Sequence, residues 1–196
     1  MTRGQKTGHA RWFASMIWLG VAGSAGATVL VAGTGSRLWI DGDSTLHAFR
    51  CVATFFTASL DETESGRVAG GLVEVPVAVL HSGKAGLDER LRLALDATHH
   101  PLIALRINPA GSDAGSAGET GPVSVTGRLT IVGATRELTV TGTGVAGERG
   151  IRVRGTRALD MRDWGIVPPA LLLGTLRVRP VVIVGFDLEF TRRVQP

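Results

Sequence analysis

A chain of 196 residues with 44% hydrophobic content can bury one good core and is too short for two ordinary domains. Three of its 21 basic residues, Arg3, Lys6 and Arg11, precede residue 12, and the first 27 residues contain no acid; the rest of the chain carries 18 basic against 17 acidic side chains. Such a neutral body lacks the clustered Lys and Arg of a nucleic-acid surface, and a single cysteine, Cys51, excludes an internal disulfide and any multi-thiolate metal site within one chain.

The chain opens with a polar, basic stretch, and from Trp12 to Ala32 it carries no charge. A basic region, an apolar run and the small residues Ala25-Gly26-Ala27 predict a secretory signal peptide over residues 1–27. An uncleaved anchor reaching about residue 32 is the alternative, because the uncharged run is long enough to span a bilayer. Either way the basic residues stay on the cytoplasmic side and the domain is exported, to the periplasm or the outside.

After Gly35 the sequence reads as short alternating strands divided by Gly-rich turns. Early strands are expected over residues 36–41, 45–59 and 67–79. A helix comes next, with Leu87, Leu91, Ala94 and Leu95 on one face and Asp88, Glu89, Arg92 and Asp96 elsewhere, stopped by Pro101. The Gly, Ser and Ala stretch from Ala110 to Gly121 is expected to be a mobile hairpin loop. Val123, Val125, Gly127, Leu129 and Ile131 then alternate with polar positions, and Gly133-Ala134-Thr135 turns the chain into Leu138 and Val140. Ile151 and Val153 alternate with Arg152 and Arg154. In the last strand Val182, Val184, Phe186, Leu188 and Phe190 share one face. A period of two with one apolar face marks antiparallel strands buried on one side, and about eight of them suffice to close a barrel around one ligand. Periodicity alone leaves barrel and sandwich open, and filled and hollow barrels too.

Four segments in order resemble the YceI-like family of bacterial polyisoprenoid-binding proteins. They are Leu38-Trp39-Ile40-Asp41 with Ser44-Thr45-Leu46-His47-Ala48-Phe49; Leu91 to Pro101 running into Leu102 to Ile107; Gly127-Arg128-Leu129-Thr130-Ile131 with Gly133-Ala134-Thr135-Arg136; and Met161-Arg162-Asp163-Trp164-Gly165-Ile166 with Pro168-Pro169. The compact Ser-Thr-Leu-His segment and the long 108–122 loop depart from the family pattern. The resemblance implies a mainly β fold, an antiparallel eight-stranded lipocalin-like barrel with one inserted helix over residues 36–191. Its lumen would take an isoprenoid, a polyprenyl lipid or an isoprenoid quinone, with no cofactor and no catalysis. Family members include dimers, so a second copy is a candidate partner.

Candidate lumen residues are Phe49, Phe55, Val125, Leu129, Ile131, Leu138, Val140, Trp164, Val184, Phe186 and Leu188. A filled core is the competing reading of the same positions, and with it a structural or stress-related envelope protein. His47 shares strand parity with Phe49 and Cys51 and is the candidate polar group of the mouth. Trp164 lies in an apolar, proline-bearing connection, read either as a flap that meets a membrane surface or as a cover over one barrel end. Arg128, Arg136, Arg152 and Arg154 form either a solvated outer face or partners for a pyrophosphate. No metal site is expected, since His99 and His100 are adjacent and diverge. No nucleophile elbow, His-Glu-x-x-His or phosphate-loop pattern occurs. A hydrolase or isomerase would need His47 beside Asp41 or Asp43.

Overall fold

A computed structural model describes residues 28–63, 67–109, 120–171 and 176–193. Its strands are β1 (Thr28–Ala32), β2 (Arg37–Asp43), β3 (Ala48–Ala53), β4 (Thr57–Glu62), β5 (Val68–Pro76), β6 (Leu80–His81), β7 (Leu102–Ile107), β8 (Thr120–Ile131), β9 (Ala134–Gly147), β10 (Gly150–Asp160), β11 (Ala170–Leu171), β12 (Leu176–Arg177) and β13 (Val181–Arg193). Helix α1 (Ala85–Ala94) lies between β6 and β7, and 3-10 turns cover Val77–Val79 and Met161–Trp164.

Eight of these strands close an antiparallel ring in the order β1, β4, β5, β7, β8, β9, β10, β13, with β13 pairing back onto β1. Closure removes the free edges that an open sheet would expose. The 13 residues of β13 serve two partners on one edge: Ala32 of β1 stands opposite Phe190, and Asp41 of β2 stands opposite Ile183. Residues 33–36 bulge between them, pinned where the Gly33 N–H donates to the Glu189 carbonyl at 2.8 Å. Strands β1 and β2 are thus one kinked barrel strand, and β3 and β4 form the next. The segment expected as one strand over 45–59 is broken at residues 54–56, where the Thr54 N–H turns to the Val79 carbonyl at 3.0 Å.

The run Thr28-Val29-Leu30-Val31, three of its four residues β-branched, lies at the end of the uncharged stretch, forms β1 and is hydrogen-bonded on both sides. Residues 1–27, assigned to a leader, lie outside the described residues, as do residues 110–119 of the expected loop. Thr120 and Gly121, placed in that loop by their composition, already pair with Val145 and Gly144 in β8–β9.

Two apolar clusters fill the ends of the barrel. At one end Leu30, Ala58, Leu60, Ile107, Ile151, Leu188 and Phe190 are all buried. At the other, which carries α1 and the Met161–Trp164 turn, the cluster is Ala53, Val75, Val77, Leu80, Leu95, Leu129, Ile131, Trp164 and Ile166. The wall is not uniform. Pairing of β9 with β10 runs from Gly147–Gly150 to Gly142–Gly155 and stops, although β10 stays paired with β13 as far as Asp160 and β9 with β8 as far as Ala134.

A candidate ligand cavity inside the barrel

Between the two clusters the barrel holds a cavity of about 560 Å³, within the range that suits a small-molecule site. The strand alternation decides its walls. Inward positions of β8 contribute Val123, Val125, Leu129 and Ile131; β9 contributes Leu138 and Val140; β13 contributes Val182, Val184, Phe186, Leu188 and Phe190. Helix α1 covers one end with Leu87, Leu91 and Ala94, the face its periodicity predicts, and Leu95 just beyond it completes that face. Lumen space depends on two aromatic rings lying flat against glycine. A Cβ at Gly42 would sit 2.2 Å from the Phe49 ring, and one at Gly155 would sit 2.6 Å from Phe186. These glycines let the rings lie along the wall instead of crossing the bore.

Of the candidate lumen residues, Phe49, Val125, Leu129, Ile131, Leu138, Val140, Trp164, Val184, Phe186 and Leu188 line this cavity. Phe55 does not. The break at residues 54–56 shifts the strand parity, so Phe55 points outward and is 58% exposed, while Phe56 packs against both clusters. Sequence reasoning also missed Leu60, Val73, Val75, Ile103, Leu105 and Ile107. Their period-two pattern was readable, but which face turns inward was not settled without the closed ring.

Trp164 is buried, and its indole N–H donates to the Leu129 carbonyl at 3.1 Å. The turn that carries it is held at both ends: Asp160 accepts from the Arg162 N–H at 3.0 Å, and Gly165 takes a left-handed φ of 74°. This connection is a packed cover over one barrel end. Val167 beyond it is 81% exposed.

Polar groups gather at the α1 end. Ser44, His47, Lys84, Arg90 and Arg157 line the cavity, and among the described residues no carboxylate does. The Ser44 hydroxyl donates to the His47 carbonyl at 2.8 Å, which shapes the β2–β3 turn and presents His47 at the rim. Cys51 is completely buried in the wall; burial, and secondarily the nearby Asp88 charge, push its thiol pKa up to about 11. Asp88 itself ties α1 to β6. It accepts from the Ser82 hydroxyl at 2.5 Å and the Ser82 N–H at 2.7 Å, with His81 Nδ1 at 3.2 Å, and these contacts hold its carboxyl below the usual range.

Most of the remaining candidates are engaged elsewhere, and Arg128 is an exposed residue of β8 on the outer wall. Arg152 grips Asp187 through two bonds of 2.8 and 2.9 Å, and Arg154 adds a third at 3.1 Å, all on the outer wall. Those contacts lower the Asp187 carboxyl to about 2. Arg136 donates to the Asp163 carbonyl at 3.0 Å. Asp41 is held by Arg50 and the Trp39 indole, and Asp43 by Arg179, so neither carboxylate forms a dyad with His47. His99 bonds Asp96 at 2.8 Å, and no cluster of potential metal ligands occurs among the described residues.

An eight-stranded antiparallel barrel around an apolar cavity, covered at one end by a helix, defines a lipocalin-like small-molecule carrier. The chain belongs to the YceI-like family: the YceI-like domain matches residues 37–190. Three solved structures have the same fold. BcnA of Burkholderia cenocepacia is 18% identical with a TM-score of 0.66, over 79% of this chain and 95% of that one. A polyisoprenoid binding domain from Saccharophagus degradans, implicated in plant cell wall breakdown, is 12% identical with a TM-score of 0.67, over 86% and 100%. The YCEI protein of Campylobacter jejuni is 12% identical with a TM-score of 0.58, over 78% and 85%. No curated protein sequence matches the chain. Family membership makes this a non-enzymatic protein that carries a lipid-like small molecule within its barrel.

Proposed function

We propose that the protein is an exported carrier or reservoir for an isoprenoid, a polyprenyl lipid or an isoprenoid quinone, in the cell envelope. The observation that carries this reading is the apolar cavity itself, which reaches from Leu87 and Leu91 at the helix end to Ile151 and Phe190 at the other. An isoprenoid tail offers only apolar surface, and burying each CH2 contributes about 0.8 kcal/mol, so binding needs no polar contact along the tail. The polar end would then fix orientation at the basic rim of the α1 end, to which His47 and Arg157 both belong, rather than supply strength. Export is proposed from the basic, then apolar, first 27 residues, which lie outside the described residues. The relative from Saccharophagus degradans is described as binding a polyisoprenoid, which agrees with this choice of ligand.

The test is native mass spectrometry with organic extraction on protein purified from its own envelope. A prenyl-containing species bound one per barrel is the expected result. The second arm uses Val140→Trp, which fills the middle of the bore, and should lose the bound species while keeping the circular dichroism spectrum of a β-barrel. Protein that is empty and takes up neither added polyprenyl lipids nor quinones would overturn the proposal in favour of a structural envelope role.

A further inference from the structure

We propose that the split between β9 and β10 is a lateral portal into the cavity, with Arg157 at its lip holding the anionic head of an amphiphile whose tail lies inside. This rests on the carrier reading and adds where the ligand passes and what its head is. Pairing between the two strands ends at Gly142–Gly155. Continuing that register would set Thr139 against Ala158, and Leu138 against Leu159. Those pairs do not form, so two stretches of strand face each other with their inter-strand N–H and C=O groups unshared. Unpaired backbone of this kind is kept only where water or a ligand satisfies it.

A groove occupies the gap, and Leu138, Arg157, Leu159 and Trp164 line both this groove and the central cavity. The two spaces are therefore separated by the same four side chains. Three are apolar. Arg157 is the exception: it has the inward parity of Ile151, Val153 and Leu159, where every other such position of β10 is apolar or glycine. An inward arginine in an otherwise apolar wall is costly unless it is solvated or paired. Arg157 is exposed, and it has no hydrogen-bonding or ion-pair partner among the described residues, whereas the neighbouring Arg162 and Arg136 are both engaged. The groove also carries Glu137, Asp160 and Asp163, of which Asp160 is paired with Arg162; the Arg157 guanidinium, left open at the junction with the apolar bore, suits a carboxylate or phosphate group on an apolar tail. Gly142 and Gly155 fix where the split begins. A Cβ on Gly142 would meet the Arg154 carbonyl at 2.3 Å, and one on Gly155 would meet the Thr141 carbonyl at 2.7 Å, so the strands touch there and part beyond.

The experiment uses the full chain and cis-parinarate, a fluorescent polyene with a carboxylate head, beside the uncharged alcohol of the same length. Cysteines at Thr139→Cys and Ala158→Cys are joined by a disulfide to draw the lips together; native Cys51, buried and with a raised pKa, stays out of the reaction. Oxidation should slow parinarate release tenfold or more, and reduction should restore it. A control pair, Thr130→Cys with Thr135→Cys, bridges strands that are already bonded and should leave the rate unchanged. Separately, Arg157→Gln should weaken parinarate about tenfold and leave the alcohol unchanged. Unaltered release from the stapled split would overturn the portal, and equal loss of both probes in R157Q would overturn the head-group role. Wild-type protein that binds neither probe would overturn the portal and its head-group role, while the carrier reading is decided separately by uptake of polyprenyl lipids and quinones.

Discussion

The two ends of the barrel solve different problems. The end containing Leu30, Leu60, Ile107, Ile151, Leu188 and Phe190 is sealed by apolar packing and capped by a largely buried ion pair on the same inward face. Arg192 donates to both Glu62 oxygens at 2.8 Å, and to the Gly147 and Glu148 carbonyls at 2.8 Å. One guanidinium thereby joins β4, β13 and the β9–β10 turn. The other end is a composite of α1, the Trp164 turn and the β2–β3 turn, with a basic rim, the β9–β10 split, and the exposed side chains of Leu46 and Val167. One end is built for closure and the other for access. What distinguishes them is the satisfaction of polar groups, complete at the clamp and left open at the split.

The largest effect should come from removing a cover that is both packed and hydrogen-bonded. Trp164→Ala is expected to cost about 3–5 kcal/mol, because it empties a buried indole site and orphans the Leu129 carbonyl. Chemical denaturation checks it, and a loss under about 1 kcal/mol would make Trp164 a loose flap. Next comes the sealed end: Arg192→Leu strands the largely buried Glu62 and should cost about 2 kcal/mol, while leaving ligand release unchanged. Faster release in that variant would break the division between the two ends.

A smaller effect is expected in acid, on the outer wall. Asp187 is held at about 2, below its unfolded value of 3.8, by Arg152 first and then Arg154. Its contribution is complete above about pH 4 and is lost as pH falls through about 2. Asp187→Asn should therefore flatten the acid limb of the stability curve in that window, with a loss of no more than about 3 °C in Tm at pH 7, because the site faces solvent. An unchanged acid limb would assign the acid sensitivity to Glu62 or Asp88 instead. The smallest effect is chemical: Cys51, with its thiol pushed to about 11, should resist maleimide at about pH 8 in native protein and react fully in denaturant. Rapid native labelling would mean that the wall beside α1 opens.

Much of the barrel was legible because a half-buried strand writes its face into every second residue. Val182 to Phe190 and Val123 to Ile131 could be placed from that pattern alone, and Leu87, Leu91, Ala94 and Leu95 from the helical one. Phe55 failed for a local reason: a break of three residues reverses parity, and Thr54-Phe55-Phe56 carries no Gly or Pro to signal it. Arg152 and Arg154 had two readings until Asp187, more than 30 residues away, was placed beside them.

Spacing along the chain was enough to define most elements, the apolar face of each, the near-neutral body and the resemblance to a family. Closure of the ring through β1 and β13, the depth of the cavity, the clamp at Arg192 and the split beside Arg157 came only with the folded barrel. Each of those depends on which distant residues come opposite one another, and register between strands is set by the whole ring rather than by any one segment.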